Sequence, residues 1–215
     1  MARVRIFRHL LLAAVLTAAA GSAVAAQVER IGALNAAGAS AELKHAVEDK
    51  GYRVTLDDGW TADFWFARQL KTAAKDVPGA LYPELANAGF VGVVNLPKGM
   101  TDYRGQAIPA GAYTLRYQLL PQDGNHLGVA PNLDFLLAIP IASDPNPEQS
   151  YLYKKLVSLS SQSTGANHPA VIALDTAGEP STLAKDAQTV VFSVAIPSPS
   201  GSEKLGILVK GAAAQ

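Results

Sequence analysis

Polar side chains able to do chemistry are concentrated in one stretch, Thr101 to Asp134, which carries Asp102, Tyr103, Arg104, Arg116, Asp123, Asn125, His126 and Asp134. Neutral imidazole is a good ligand for zinc or copper, so His126 and His168, completed by Asp102 and Asp134, form a candidate metal set. Bound water would then be the nucleophile and Asp102 or Asp134 the base of a metal-dependent enzyme. No His-x-His, His-x₃-His or HExxH spacing supports this, so only the fold can assemble the set. The other chemistry is recognition. The planar donor forks of Arg104 and Arg116 suit a carboxylate or phosphate, and Asp123, Asn125 and His126 add contacts for a small polar ligand or a glycan. Plainer readings stand beside both. The arginines would pair with Asp102 and Asp134 at the polar edge of a sheet, and Asp123-Gly124-Asn125 is also turn chemistry. Trp60 and Trp65 offer ring faces to a sugar, yet aromatics at a spacing of two also fill cores.

These residues have to be positioned by strands. Tyr52, Val54 and Leu56 alternate with polar neighbours, Asp58-Gly59 suits a type I′ turn, and Trp60, Ala62, Phe64 and Phe66 resume the alternation, which predicts a hairpin. Asp63 in its second strand is expected to face solvent. Phe90 to Leu96 reads as a strand ended by Pro97. In Tyr113 to Leu120 the residues Tyr113, Leu115, Tyr117 and Leu119 share one face, and Thr114, Arg116 and Gln118 share the other. Asp134 to Ile141 is apolar in succession, as in a strand buried on both sides. Ala170 to Leu174, Thr189 to Ile196 and Leu205 to Lys210 complete the strands. Two helices are expected. One follows Ser40 as N-cap and stops at Gly51, and one runs from Asn146 as N-cap through Pro147, Gln149, Leu152, Leu156 and Leu159. The strands do not alternate regularly with helices, which predicts a mainly β, antiparallel β-sandwich or jelly-roll-like domain with one or two short covering helices.

The turn Pro109-Ala-Gly-x-Tyr113, leading into an alternating strand and then into the loop Pro121-x-Asp-Gly-Asn-His126, resembles a group of uncharacterised exported bacterial β-rich domains. The resemblance spans Gly51 to Asp144. It implies a β-rich exported domain and carries no activity with it.

Arg3, Arg5 and Arg8, the apolar run Leu10 to Ala20 and the small residues Ala23-Val24-Ala25 read as a secretory signal over residues 1–25. A flexible lead-in over 26–39 and a single β-sandwich domain over 40–215 follow. Export places the protein in the periplasm or outside the cell. Three of the 18 Lys and Arg lie in that signal and none of the 18 Asp and Glu do, so the remainder is mildly acidic. With no dense basic face, nucleic acid is excluded as the expected partner. The later apolar runs are too short for a membrane span in the mature chain. Cysteine is absent, which rules out disulfides, thiolate metal sites and a lipid-modified Cys. No G-x-S-x-G elbow or phosphate-binding glycine loop is present. The reading is therefore an exported, non-catalytic binding or envelope-associated module, with a small polar ligand, a glycan or an envelope protein as partner and no cofactor. The zinc or copper enzyme using His126 and His168 is the alternative.

Overall fold

The computed structural model describes residues 26–73, 77–121, 130–186 and 189–211. Period-two alternation of apolar residues puts a large part of the described chain into strands. In chain order these are β1 (Gln27–Ile31), β2 (Gly51–Thr55), β3 (Thr61–Phe66), β4 (Phe90–Leu96), β5 (Met100–Thr101), β6 (Ala107–Ile108), β7 (Gly111–Leu119), β8 (Asp134–Pro140), β9 (Ala170–Asp175), β10 (Thr182–Lys185), β11 (Val190–Ser198) and β12 (Gly201–Lys210). Two helices, α1 (Ala41–Ala46) and α2 (Tyr153–Ser161), join them. Ten strands make one antiparallel sheet in the order β1-β2-β3-β4-β7-β8-β9-β12-β11-β10, while β5 and β6 pair separately. The sheet curls until β1 comes alongside β10, giving a barrel that is closed but for one seam. A mainly β antiparallel domain with two covering helices is thus what the chain forms.

The barrel interior is a packed core. Tyr52, Phe64, Phe66 and Phe192 meet there with ring centroids 5.5 to 6.1 Å apart. Leu115, Leu136, Ile172 and Ile207 fill the far wall, all at most 1% exposed. Each fully buried side chain of this size contributes about 1.5–3 kcal/mol, so the fold needs no covalent staple. Both ends are plugged. The segment before β4 lays Tyr82 and Leu85 over one end, and the β5–β6 hairpin sets Ile108 over the other.

The lead-in over 26–39 is not loose throughout: β1 lies within it and pairs with β2 from Gln27↔Thr55 to Ile31↔Gly51. The β2–β3 turn also differs from expectation. The Gly59 N–H donates to the Leu56 carbonyl and only Gly59 has positive φ, so this is a type I turn followed by a left-handed glycine, not type I′. Helix α2 begins at Tyr153 rather than at Asn146. The Asn146 side chain instead accepts the Glu148 N–H at 2.9 Å, forming a turn, and Leu152 stands 84% exposed. Leu156 and Leu159 do face inward, packing on Phe135, Leu137 and Ile139 of β8. That explains why β8 is buried on both faces. Asp63 does not face solvent: it is 5% exposed beneath Arg53, which donates to it at 2.7 and 2.9 Å.

Candidate functional site

The register expected for β7 holds, since Tyr113, Leu115, Tyr117 and Leu119 enter the barrel. The opposite face is buried as well, with Thr114, Arg116 and Gln118 no more than 5% exposed. The connection from Ile141 to Leu152 crosses that face and is tied down by Arg116. The Nε and Nη2 of Arg116 donate to the two oxygens of Asp144 at 2.7 and 2.8 Å. Its remaining donors go to the carbonyls of Ala88, Gln149 and Asn146 at 2.8 to 2.9 Å. Thr114 and Tyr151 donate their hydroxyls to Asp144, and the Arg116 guanidinium lies 4.8 Å from the Tyr151 ring centre. The partner of Arg116 is therefore Asp144, not Asp134. A guanidinium 1% exposed whose hydrogen bonds are all internal is a strap and not a ligand contact.

Asp134 sits inside the barrel at the start of β8 and is fully buried. It accepts the backbone N–H groups of Leu81 and Tyr82 at 3.0 and 2.6 Å and lies 3.2 Å from the Tyr117 hydroxyl, which donates to the Tyr82 carbonyl at 2.7 Å. Tyr82 then donates its hydroxyl to the Asp175 carbonyl and accepts the Gly206 N–H, locking the plug onto β9 and β12. Burial raises the phenol pKa of Tyr82 and of Tyr117, and the neighbouring Asp134 charge raises both further.

Asp102 lies at the opposite end of the barrel, in the β5–β6 hairpin. As expected, it pairs with Arg104, at 2.8 Å, and Arg104 also donates to the Pro169 carbonyl at 2.9 Å. Asp102 accepts the backbone N–H groups of Arg104 and Gln106 as well. This brings Asp102 into the neighbourhood of exposed His168, next to Pro169, and leaves Asp134 at the other end of β8. So of the three candidate ligands among the described residues, Asp102 and His168 lie at one end of the barrel and Asp134 at the other. Among the described residues no group of three or more His, Asp or Glu is close enough to hold a metal ion. Asp123, Asn125, His126 and the signal expected over 1–25 lie outside the described residues. Trp65 is 5% exposed with its indole N–H on the Gly32 carbonyl, and Trp60 donates to the Gly99 carbonyl, so both rings are held in the framework.

One concavity that faces outward was not legible in the sequence. A groove of about 860 Å³ runs between α1, the segment after β3 and the turn at Asn146. Ala46, Leu70 and Phe90 contribute apolar surface, and Glu42, His45, Gln69 and Thr72 contribute polar groups. Each wall is fixed. Ser40 caps α1 through the Leu43 N–H and donates its hydroxyl to the Pro145 carbonyl, joining α1 to the opposite rim. Arg68 pairs with Asp49, and Lys71 pairs with Glu148 across the groove at 2.8 Å. The side chains of His45, Gln69 and Glu42 have no hydrogen-bond partner among the described residues. The groove's lining residues are spread from residue 42 to residue 199, which is why no motif pointed to them.

Fold and surface define an antiparallel β-barrel-like domain with solid interior and an external groove. No protein-family model, no curated protein and no solved structure matches this chain. Among the described residues no helix is long and apolar enough to cross a membrane.

Proposed function

We propose that this chain is an exported, envelope-associated or secreted binding module without covalent chemistry, which takes a small polar ligand or a glycan in the groove beside α1. The observation that carries this reading is the groove's make-up: an apolar floor, walls pinned by hydrogen bonds and ion pairs, and polar side chains with no hydrogen-bond partner among the described residues. Its volume of about 860 Å³ falls in the range of ligand pockets. A sugar ring presents C–H groups on one face and hydroxyls at its edge, which matches Phe90 and Leu70 below with His45 and Gln69 at the rim. Arg116 holds the Ala88 and Asn146 backbone beside the groove, Arg104 ties the β5–β6 hairpin to Pro169 away from it, and neither lines it.

Retention on a glycan array, followed by titration of the best-retained glycan or polar small molecule, tests this. His45→Ala and Gln69→Ala should each weaken binding by about tenfold, the loss of one or two good hydrogen bonds, without moving the melting temperature. Affinity unchanged in both variants, or no retained compound at millimolar concentration, would overturn the reading.

A further inference from the structure

The seam of the barrel is not uniform along its length. Strand β10 ends at Thr182, opposite Ser193, while β11 runs on to Ser198. From Val194 onward, β11 therefore has no strand on its outer side. Ladder alternation fixes which groups face that gap. The β11–β12 hairpin closes at Ser198↔Gly201, so residues 193, 195 and 197 turn their main-chain groups away from β12. The Ser193 and Pro197 carbonyls do so visibly, accepting the N–H groups of Ser181 and Leu70 at 2.7 and 2.8 Å. Between them the N–H and carbonyl of Ala195 point the same way, and Ala195 is exposed with no partner on that side among the described residues.

Across the gap stands Arg30 of β1, its guanidinium carbon 3.9 Å above the Tyr52 ring. Arg30 has no carboxylate partner among the described residues. A cleft of about 370 Å³ joins these groups, lined by Arg30, Tyr52, Phe66, Ala195 and Ile196 and bordered by Glu48, Asp49 and Lys50. Arg68 already neutralises Asp49, so Arg30 and Lys50 outweigh Glu48.

We propose that this notch is a second binding site, for a small organic monocarboxylate with an aromatic or aliphatic body. The carboxylate is held by the Arg30 fork and the Ala195 N–H, and the body lies against Tyr52 and Phe66. An arginine stacked on an aromatic ring is oriented before the ligand arrives, which lowers the ordering cost of binding. Glu48 at the rim repels a second negative charge, which selects monocarboxylates over dicarboxylates. This site does not rest on the groove reading.

The test is an amide-resolved NMR titration of the mature protein with phenylacetate, hexanoate and the uncharged phenylacetamide. Both acids should saturate shifts at the Ala195 and Tyr52 amides, and phenylacetamide should bind at least about tenfold more weakly. Arg30→Gln, on an exposed edge strand, should weaken both acids by about tenfold with an unchanged melting curve, while His45→Ala should leave the titration unaltered. Equal binding of acid and amide, full binding by Arg30→Gln, or no saturable shift at Ala195 and Tyr52 would each overturn the proposal.

Discussion

Replacing Arg116 by Met should cost far more than the loss of an ordinary ion pair. The side chain gives five hydrogen bonds, two to Asp144 and three to main-chain carbonyls. Methionine keeps the length and apolar stem but leaves the Asp144 carboxylate, itself fully buried, with only the Thr114 and Tyr151 hydroxyls. Stranding one member of a buried pair costs about 3–5 kcal/mol, against about 0–1 kcal/mol for an exposed pair. Total stabilities of about 5–15 kcal/mol make that a large fraction, and for a chain of this size it lowers the melting temperature by roughly 6–20 °C. Urea unfolding followed by near-ultraviolet circular dichroism reads the change as a shift of midpoint at constant slope. Asp144→Leu should cost a comparable amount, and the double variant less than the sum of the two, because no charge is then stranded. A loss below about 1 kcal/mol for Arg116→Met would refute the argument, since it would mean that water reaches Asp144 and the strap is not closed.

Three further outcomes follow from the same structure. Asp134→Ala leaves the Leu81 and Tyr82 N–H groups with no acceptor there, at about 1–3 kcal/mol for each group stranded, while the Tyr117 hydroxyl keeps the Tyr82 carbonyl, and urea titration should show the plug end weakened. The phenols of Tyr82, Tyr113 and Tyr117 are all raised above 10.0 by burial, so their contribution is complete below pH 10 and is lost as the pH rises through the folded-state values. Stability should fall above pH 10, and the share of the phenolate absorbance that these three contribute should appear together with unfolding. Leu156→Ala should destabilise by about 2–5 kcal/mol through the cavity left against β8, whereas Leu152→Ser, at a position 84% exposed, should stay within about 0.5 kcal/mol in thermal melts.

Strand placement was largely legible because alternation is a local signal that packing reinforces: Phe90–Leu96 and the Tyr113 face emerged where the residues placed them. Strand β1 was missed because its QVERI sequence is mostly exposed and is held by pairing with β2, which local pattern does not encode. The start of α2 was misread for a different reason. Asn146-Pro147 carries ordinary helix-start chemistry, but the Asn146 and Gln149 carbonyls are taken by Arg116, a partner about thirty residues away in the chain. The same non-locality governs the sites. Local sequence grouped Arg104, Arg116 and Asp134 into one region, yet the barrel sends them to its two ends and its outer wall. His45, Gln69 and Asn146, far apart in sequence, converge on one groove.

The turn between β2 and β3 holds both ends of the described chain. The Ala26 N–H donates to Asp57 at 2.7 Å, and the Lys210 ammonium pairs with Asp58 at 2.9 Å. A linker of a few residues from Gly211 to Ala26 would therefore make the polypeptide circular in connectivity without crossing the barrel. New ends could be opened between Pro199 and Ser200, in the tight β11–β12 hairpin, where only a two-residue loop is cut. The order in which the strands are synthesised would change completely while every ladder kept its register, so the molecule is, in topological terms, a ring whose start point is free to move.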